Sequence, residues 1–196
     1  HQLNTGSSVS GAGTVSFSGG TVTIAGSYTV TGTTSISSGT VTVNSNITPT
    51  TVNLTGGTLT GSGTITISGL FTWSYGTMSG SGTTTANGGI SLITSSSKTL
   101  SRTLNNSNNG IANYSGSGLY LNGGTFNNQA GSTFNLTTDG DISSYGTSAF
   151  NNAGTFNRTT TSGTANINVA FNNSGTVSVQ SGTLSFQGNS THTGTG

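Results

Sequence analysis

Asp139 and Asp141, in the stretch TTDGDISS, are the only carboxylates in the chain. A pair of acids flanking a glycosidic bond is the machinery of sugar hydrolysis, and residues i and i+2 of a strand share a face. Asp-Gly is also a strong turn signal. No cluster of Lys, Arg, His or Tyr stands nearby in sequence to tune either carboxyl. A turn is therefore expected here rather than a catalytic dyad, and a calcium loop would need more acidic ligands. His1 and His192, the only histidines, could together brace a copper ion. They are expected instead as exposed polar residues near the chain ends. Lys98 and Arg102, four apart in KTLSRTL, fall on one face of a strand. That pair could clamp an anion, but two solvated, exposed cations are expected. Phe71, Trp73 and Tyr75 alternate in FTWSY. Facing outward they would make a sugar platform. With Thr72 and Ser74 supplying the polar side, an inward, bulky core layer is expected.

The remaining residues are poor in chemistry. The 196 residues carry 3% charged side chains and a net charge of +1, against about 25% charged in ordinary domains. Ser and Thr fill 74 positions, Gly 33 and Asn 22. There is no basic stripe for nucleic acid, no apolar run long enough for a membrane helix, and no cysteine for a disulfide or thiolate site. No cofactor or metal is implied, and neither nucleic acid nor membrane insertion is expected. Eight Asn-x-Ser/Thr sequons occur, no more than this composition gives by chance.

What organises these residues is repetition. Gly13-Thr14-Val15-Ser16-Phe17, Gly20-Thr21-Val22-Thr23-Ile24, Gly39-Thr40-Val41-Thr42-Val43 and Gly63-Thr64-Ile65-Thr66-Ile67 share one pattern. An apolar residue takes every second place, which is the period of a strand with one apolar face. One and the same interval separates Gly13 from Gly32, Gly20 from Gly39, Gly57 from Gly76 and Gly63 from Gly82. Short strands recurring at that interval predict an all-β fold, a parallel β-helix (β-solenoid) of about nine coils of roughly 19–25 residues, spanning 1–196 as one domain. At about 4.8 Å per coil the rod is about 45 Å long.

A second motif recurs as Phe126-Asn127-Asn128, Phe150-Asn151-Asn152 and Phe171-Asn172-Asn173. Stacked coils would lay the three phenylalanines over one another inside the rod. The asparagines would form amide ladders at the turns. Threonine pairs at Thr21/Thr23, Thr40/Thr42 and Thr64/Thr66 could align as rows that bind ice, although threonine is also the ordinary polar residue of a strand's outer face.

The stretches GSGTITISGLFTWSYGTMSGSGTTT, KTLSRTLNN and TFNNQAGSTFNL resemble the tandem long repeats of giant bacterial surface proteins, adhesins of the filamentous-haemagglutinin type. The resemblance covers almost the whole chain. It implies an extracellular or cell-surface solenoid, one unit of a longer array, and does not imply a catalytic site.

The expected function is structural, without enzymatic activity: a subunit that assembles end to end into a filament, sheath or adhesive fibre. Neither HQLNTGSSVSGAGTVSF nor SGTLSFQGNSTHTGTG contains a cap. The expected partner is therefore self, as a head-to-tail homopolymer or a neighbouring tandem repeat. The contact would run between Val15 and Phe17 at one end and Leu184 and Phe186 at the other. Surface glycans are a further candidate partner. The alternatives are an ice-binding or carbohydrate-binding solenoid and, less favoured, a polysaccharide-degrading β-helix.

Overall fold

Where Val, Ile, Leu or Phe alternates with Thr, Ser or Asn, the chain forms a short strand with its apolar side chains turned to one side. The computed structural model describes residues 1–195, and no helix occurs among them. The strands pair in parallel, and the chain winds as a β-solenoid of about ten turns. Each turn visits three faces in a fixed order. The first carries Thr58–Thr60, Lys98–Leu100 and Thr183–Phe186; the second carries Ile65–Ile67, Thr125–Asn128 and Ser190–His192. The third carries Thr51–Leu54, Thr133–Leu136 and Thr176–Val179. Val15–Ile24 and Thr33–Val43 run round the corner from third face to first, joining those two faces into a 17-stranded sheet.

Turns are short at both ends of the rod and longest in the middle, the last pairs Thr164 with Thr183 and Phe171 with Ser190 matching the early advance. Early in the rod Thr40 pairs with Thr58, and Thr58 with Thr77. Later Phe126 pairs with Phe150 and Ile142 with Ile167, a longer advance each time. The short early turns raise the count from the expected nine to about ten.

One corner column explains the recurring glycine interval. Gly20, Gly39, Gly57 and Gly76 all have φ between 69° and 103°, a left-handed region that glycine enters without penalty. They also lie directly over one another. A Cβ on Gly39 would stand 2.2 Å from the Gly20 carbonyl oxygen, and one on Gly76 would stand 2.5 Å from that of Gly57.

Inward side chains form columns through the core. One runs Ile65, Thr84, Leu104, Phe126, Phe150, Phe171. Another runs Trp73, Leu92, Tyr114, Leu136, Arg158. All of these side chains are buried.

Candidate functional site

The Phe-Asn-Asn motif lies on the second face, in Thr125–Asn128, Ala149–Asn152 and Ala170–Asn173. Strand alternation sends its three residues in different directions. Phe126, Phe150 and Phe171 point inward and stack, with ring centroids 4.8 and 5.4 Å apart. Phe134 and Phe156 of the third face meet them edge to face at 5.0–5.6 Å.

Asn127, Asn151 and Asn172 point outward and form one amide ladder. Asn151 Nδ2 donates to Asn127 Oδ1 at 2.8 Å, and Asn172 Nδ2 donates to Asn151 Oδ1 at 2.9 Å. Asn128, Asn152 and Asn173 point inward and form a second ladder that runs the other way. Asn128 Nδ2 donates to Asn152 Oδ1, and Asn152 Nδ2 to Asn173 Oδ1, both at 2.7 Å. The ladders lie on strands, not at turns, and the inner one also donates to the carbonyls of Thr155 and Thr176, each the first residue of a third-face strand, at 3.0 Å. A third ladder, Asn113, Asn135 and Asn157, crosses the third face.

The cations correct the expectation of solvated side chains. Lys98 and Arg102 do share a face, but that face is the interior, where Lys98 is 0% and Arg102 3% exposed. Neither meets a carboxylate. Lys98 Nζ donates to the carbonyls of Thr94, Ser96 and Ser117 at 2.9–3.1 Å. Arg102 donates to the carbonyls of Gly82 at 3.0 Å, Ser79 at 3.3 Å and Gly63 at 3.1 Å. Burial lowers Lys98 to about 8 and Arg102 to about 10, so both remain mainly charged at neutral pH. The physical reason is that corners turn carbonyls inward, where an unpaired acceptor is costly.

Arg158, absent from the expectations above, fills a core position. It donates to the Thr138 carbonyl and forms an ion pair with Asp139. The Thr161 hydroxyl, first, and then Arg158 hold the Asp139 carboxyl below its ordinary range. Asp141 Oδ1 accepts from Asn166 N at 2.8 Å and Asn166 Nδ2 at 3.0 Å. Each acid therefore has partners distant in sequence.

Phe71 and Trp73 are buried, but Tyr75 is 51% exposed because the strand ends at Trp73. His1 and His192 sit in the first and last turns, at opposite ends of the rod, which removes a shared metal site. No group of three or more His, Cys, Asp or Glu side chains able to hold a metal occurs among the described residues.

Thr21/Thr23 and Thr40/Thr42 align on the first face, but their successor is Thr58/Thr60. Thr64/Thr66 belongs to the second face, beside Thr83 and Thr85. Val15, Phe17, Leu184 and Phe186 are partly buried inward residues at the two ends. Val15 and Phe17 line an apolar depression of about 350 Å³ with Leu3 and Val22. At the other end Phe186 lines one of about 500 Å³ with Val177 and Val179.

The chain matches no protein-family model, no curated protein and no solved structure.

Proposed function

We propose that this chain is a structural segment of an extracellular or cell-surface fibre, extended by stacking further turns on its ends. The observation that carries the reading is the state of those ends. Inward apolar side chains that are covered everywhere else lie open around Phe17 and around Phe186, beside strand edges with free backbone groups. The cover is a further turn, either of a longer polypeptide resembling the giant surface adhesins or of a second copy. A heterologous contact of this kind does not close, and it propagates as a filament.

The test is electron microscopy and sedimentation of the chain at rising concentration. Filaments as wide as one rod are expected, and Phe17→Asp or Leu184→Asp should abolish them without lowering the melting temperature of the interior. A chain that stays monomeric at every concentration would overturn the homopolymer form. Immunolabelling of intact cells tests the location, and label found only after lysis would overturn it.

A second reading, an ice-binding face, is favoured by one observation. Thr21/Thr23, Thr40/Thr42, Thr58/Thr60 and Thr77/Ser79 lie in register on the first face. Inhibition of ice recrystallisation that is lost in Thr42→Lys would support this reading. Its absence in the unaltered chain would end it.

A further inference from the structure

The stack loses its regular register near Ser18 and again at one place further along the first face. On the first face Ile142–Tyr145 pairs with Thr164–Ile167 through the single pair Ile142 and Ile167. Its neighbour on the other side meets it over four consecutive pairs. The long turn leading into this strand carries both carboxylates of the chain.

On the other, regularly paired side of this strand lies an outward polar cleft of about 310 Å³, lined by Ser117, Tyr120, Asp139, Asp141 and Ser143 among others. Tyr120 takes the outward position that Thr99 holds one turn earlier and Ser143 one turn later. Tyr145, 60% exposed, stacks against it with ring centroids 5.8 Å apart and planes 28° apart. The cleft therefore offers a flat ring held upright by a second ring.

The carboxylates are fixed before any ligand arrives. Asp139 is committed to Arg158 and to Thr161 Oγ1 at 2.6 Å. Asp141 is held through Oδ1 by Asn166, while its Oδ2 meets no donor among the described residues. One rigid acceptor, serine hydroxyls and an aromatic ring face thus converge on one side of the rod. A hard cation is disfavoured, because it needs six or more oxygen ligands and one of the two acids already serves Arg158. An anion would meet Asp141.

We propose that this cleft binds a pyranose unit of a glycan. The C–H face of the sugar lies on Tyr120, and its hydroxyls donate to Asp141 Oδ2 and exchange hydrogen bonds with Ser117 and Ser143. Tyr145 is a positioning residue that backs the Tyr120 ring. This site is independent of the fibre reading, since it lies on the side of the rod and not at an end. It also moves the sugar platform from Trp73, which is buried, to the tyrosines.

The experiment is calorimetric titration of the full chain with hexasaccharides of glucose, xylose, mannose, N-acetylglucosamine and glucosamine. Saturable binding of at least one is expected. Tyr120→Ala should weaken it by about tenfold or more, Tyr120→Phe should keep it, and Tyr75→Ala, away from the cleft, should leave it unchanged. Asp141→Asn retains the Asn166 contacts through its amide oxygen and should weaken binding by a smaller factor. Preference for the glucosamine oligomer would assign the Asp141 charge to an ammonium group and support the same site. No saturable binding to any of the five, or equal affinity in Tyr120→Ala and the unaltered chain, would overturn the proposal.

Discussion

The early and middle turns of this rod solve the same packing problem with different materials. In the early part the first-face column is aliphatic, passing from Val22 to Val41, Leu59 and Met78 in short turns, and glycine lies on glycine at the corner. Beyond it the turns lengthen, as the outward column from Thr77 to Thr99, Tyr120 and Ser143 shows. The wider interior admits paired phenylalanine stacks, and its corner carbonyls take donors from Lys98, Arg158 and the inner asparagines. Corner width thus bears on how apolar an interior can stay. A tight corner is mostly glycine, served here by Arg102 alone among the cations, whereas Lys98 and Arg158 serve the wide corners.

The sharpest way to break this contrast is to empty each kind of core. Phe150→Ala removes a ring that contacts Phe126, Phe134, Phe156 and Phe171, and should cost about 3–5 kcal/mol in denaturant unfolding. Val41→Ala in the aliphatic column should cost about 2 kcal/mol. Equal losses at the two sites would erase the distinction.

Arg158→Met comes next. It leaves the Thr138 carbonyl without its donor, and should cost about 1–2 kcal/mol. A neutral result, by the same unfolding measurement, would mean that the wide corners do not depend on buried donors.

The tight corner has its own test. Gly39→Ala meets both a positive φ and the Gly20 carbonyl, and should cost about 2 kcal/mol. Gly123→Ala shares the positive φ but meets nothing within 4 Å, and should cost about 1 kcal/mol. Hydrogen exchange should show the Gly39 loss confined to the neighbouring turns.

The pH response sharpens the comparison further, because the lowered lysine lies only in the wide region. Between about 8, where folded Lys98 titrates, and 10.5, where a free lysine does, the unfolded chain binds a proton that the folded chain does not. Stability therefore rises with pH across that window. Above pH 10 burial of Tyr114 and Tyr28 acts in the opposite sense. Their raised values let the unfolded chain ionise first, and stability falls. Arg102, whose lowered value acts the other way in the same range, opposes them. Melting temperatures should rise between about pH 8 and 10, and Lys98→Met should remove that rise.

The smallest effect is a gain. Thr84 stands between Ile65 and Leu104 in a core column, and its hydroxyl has no partner. Thr84→Val should stabilise the chain by about 1 kcal/mol.

Features set by neighbours in sequence were legible before any coordinates. Strand alternation and the recurring glycine interval both depend on one turn lying on the next, and Gly32, Gly39, Gly76 and Gly82 do stack on Gly13, Gly20, Gly57 and Gly63. The cations were misjudged because charge was weighed and phase was not. Lys98, Leu100, Arg102, Leu104 and Asn106 alternate without a break, and all five are buried. Arg158 is likewise in phase with Phe156. That parity was the available signal. Tyr75 was misplaced for the opposite reason, since alternation was carried past a strand end. The cleft beside Tyr120 was not legible. It depends on which residues of successive long turns come side by side, and local sequence does not set that.

Arg102 gives the rod a mechanical character that a plain stack lacks. In a solenoid each turn grips only its neighbours, so tension along the axis would peel turns away one after another at nearly constant force. The guanidinium of Arg102 holds Gly82 one turn back and Gly63 two turns back. It passes Gly82 where even a Cβ would stand 2.6 Å from its Nη2. Peeling that advances from the C-terminal side must break those bonds together before the next turn can leave. Such a rod extends like a ratcheted spring, yielding in small steps up to a stop.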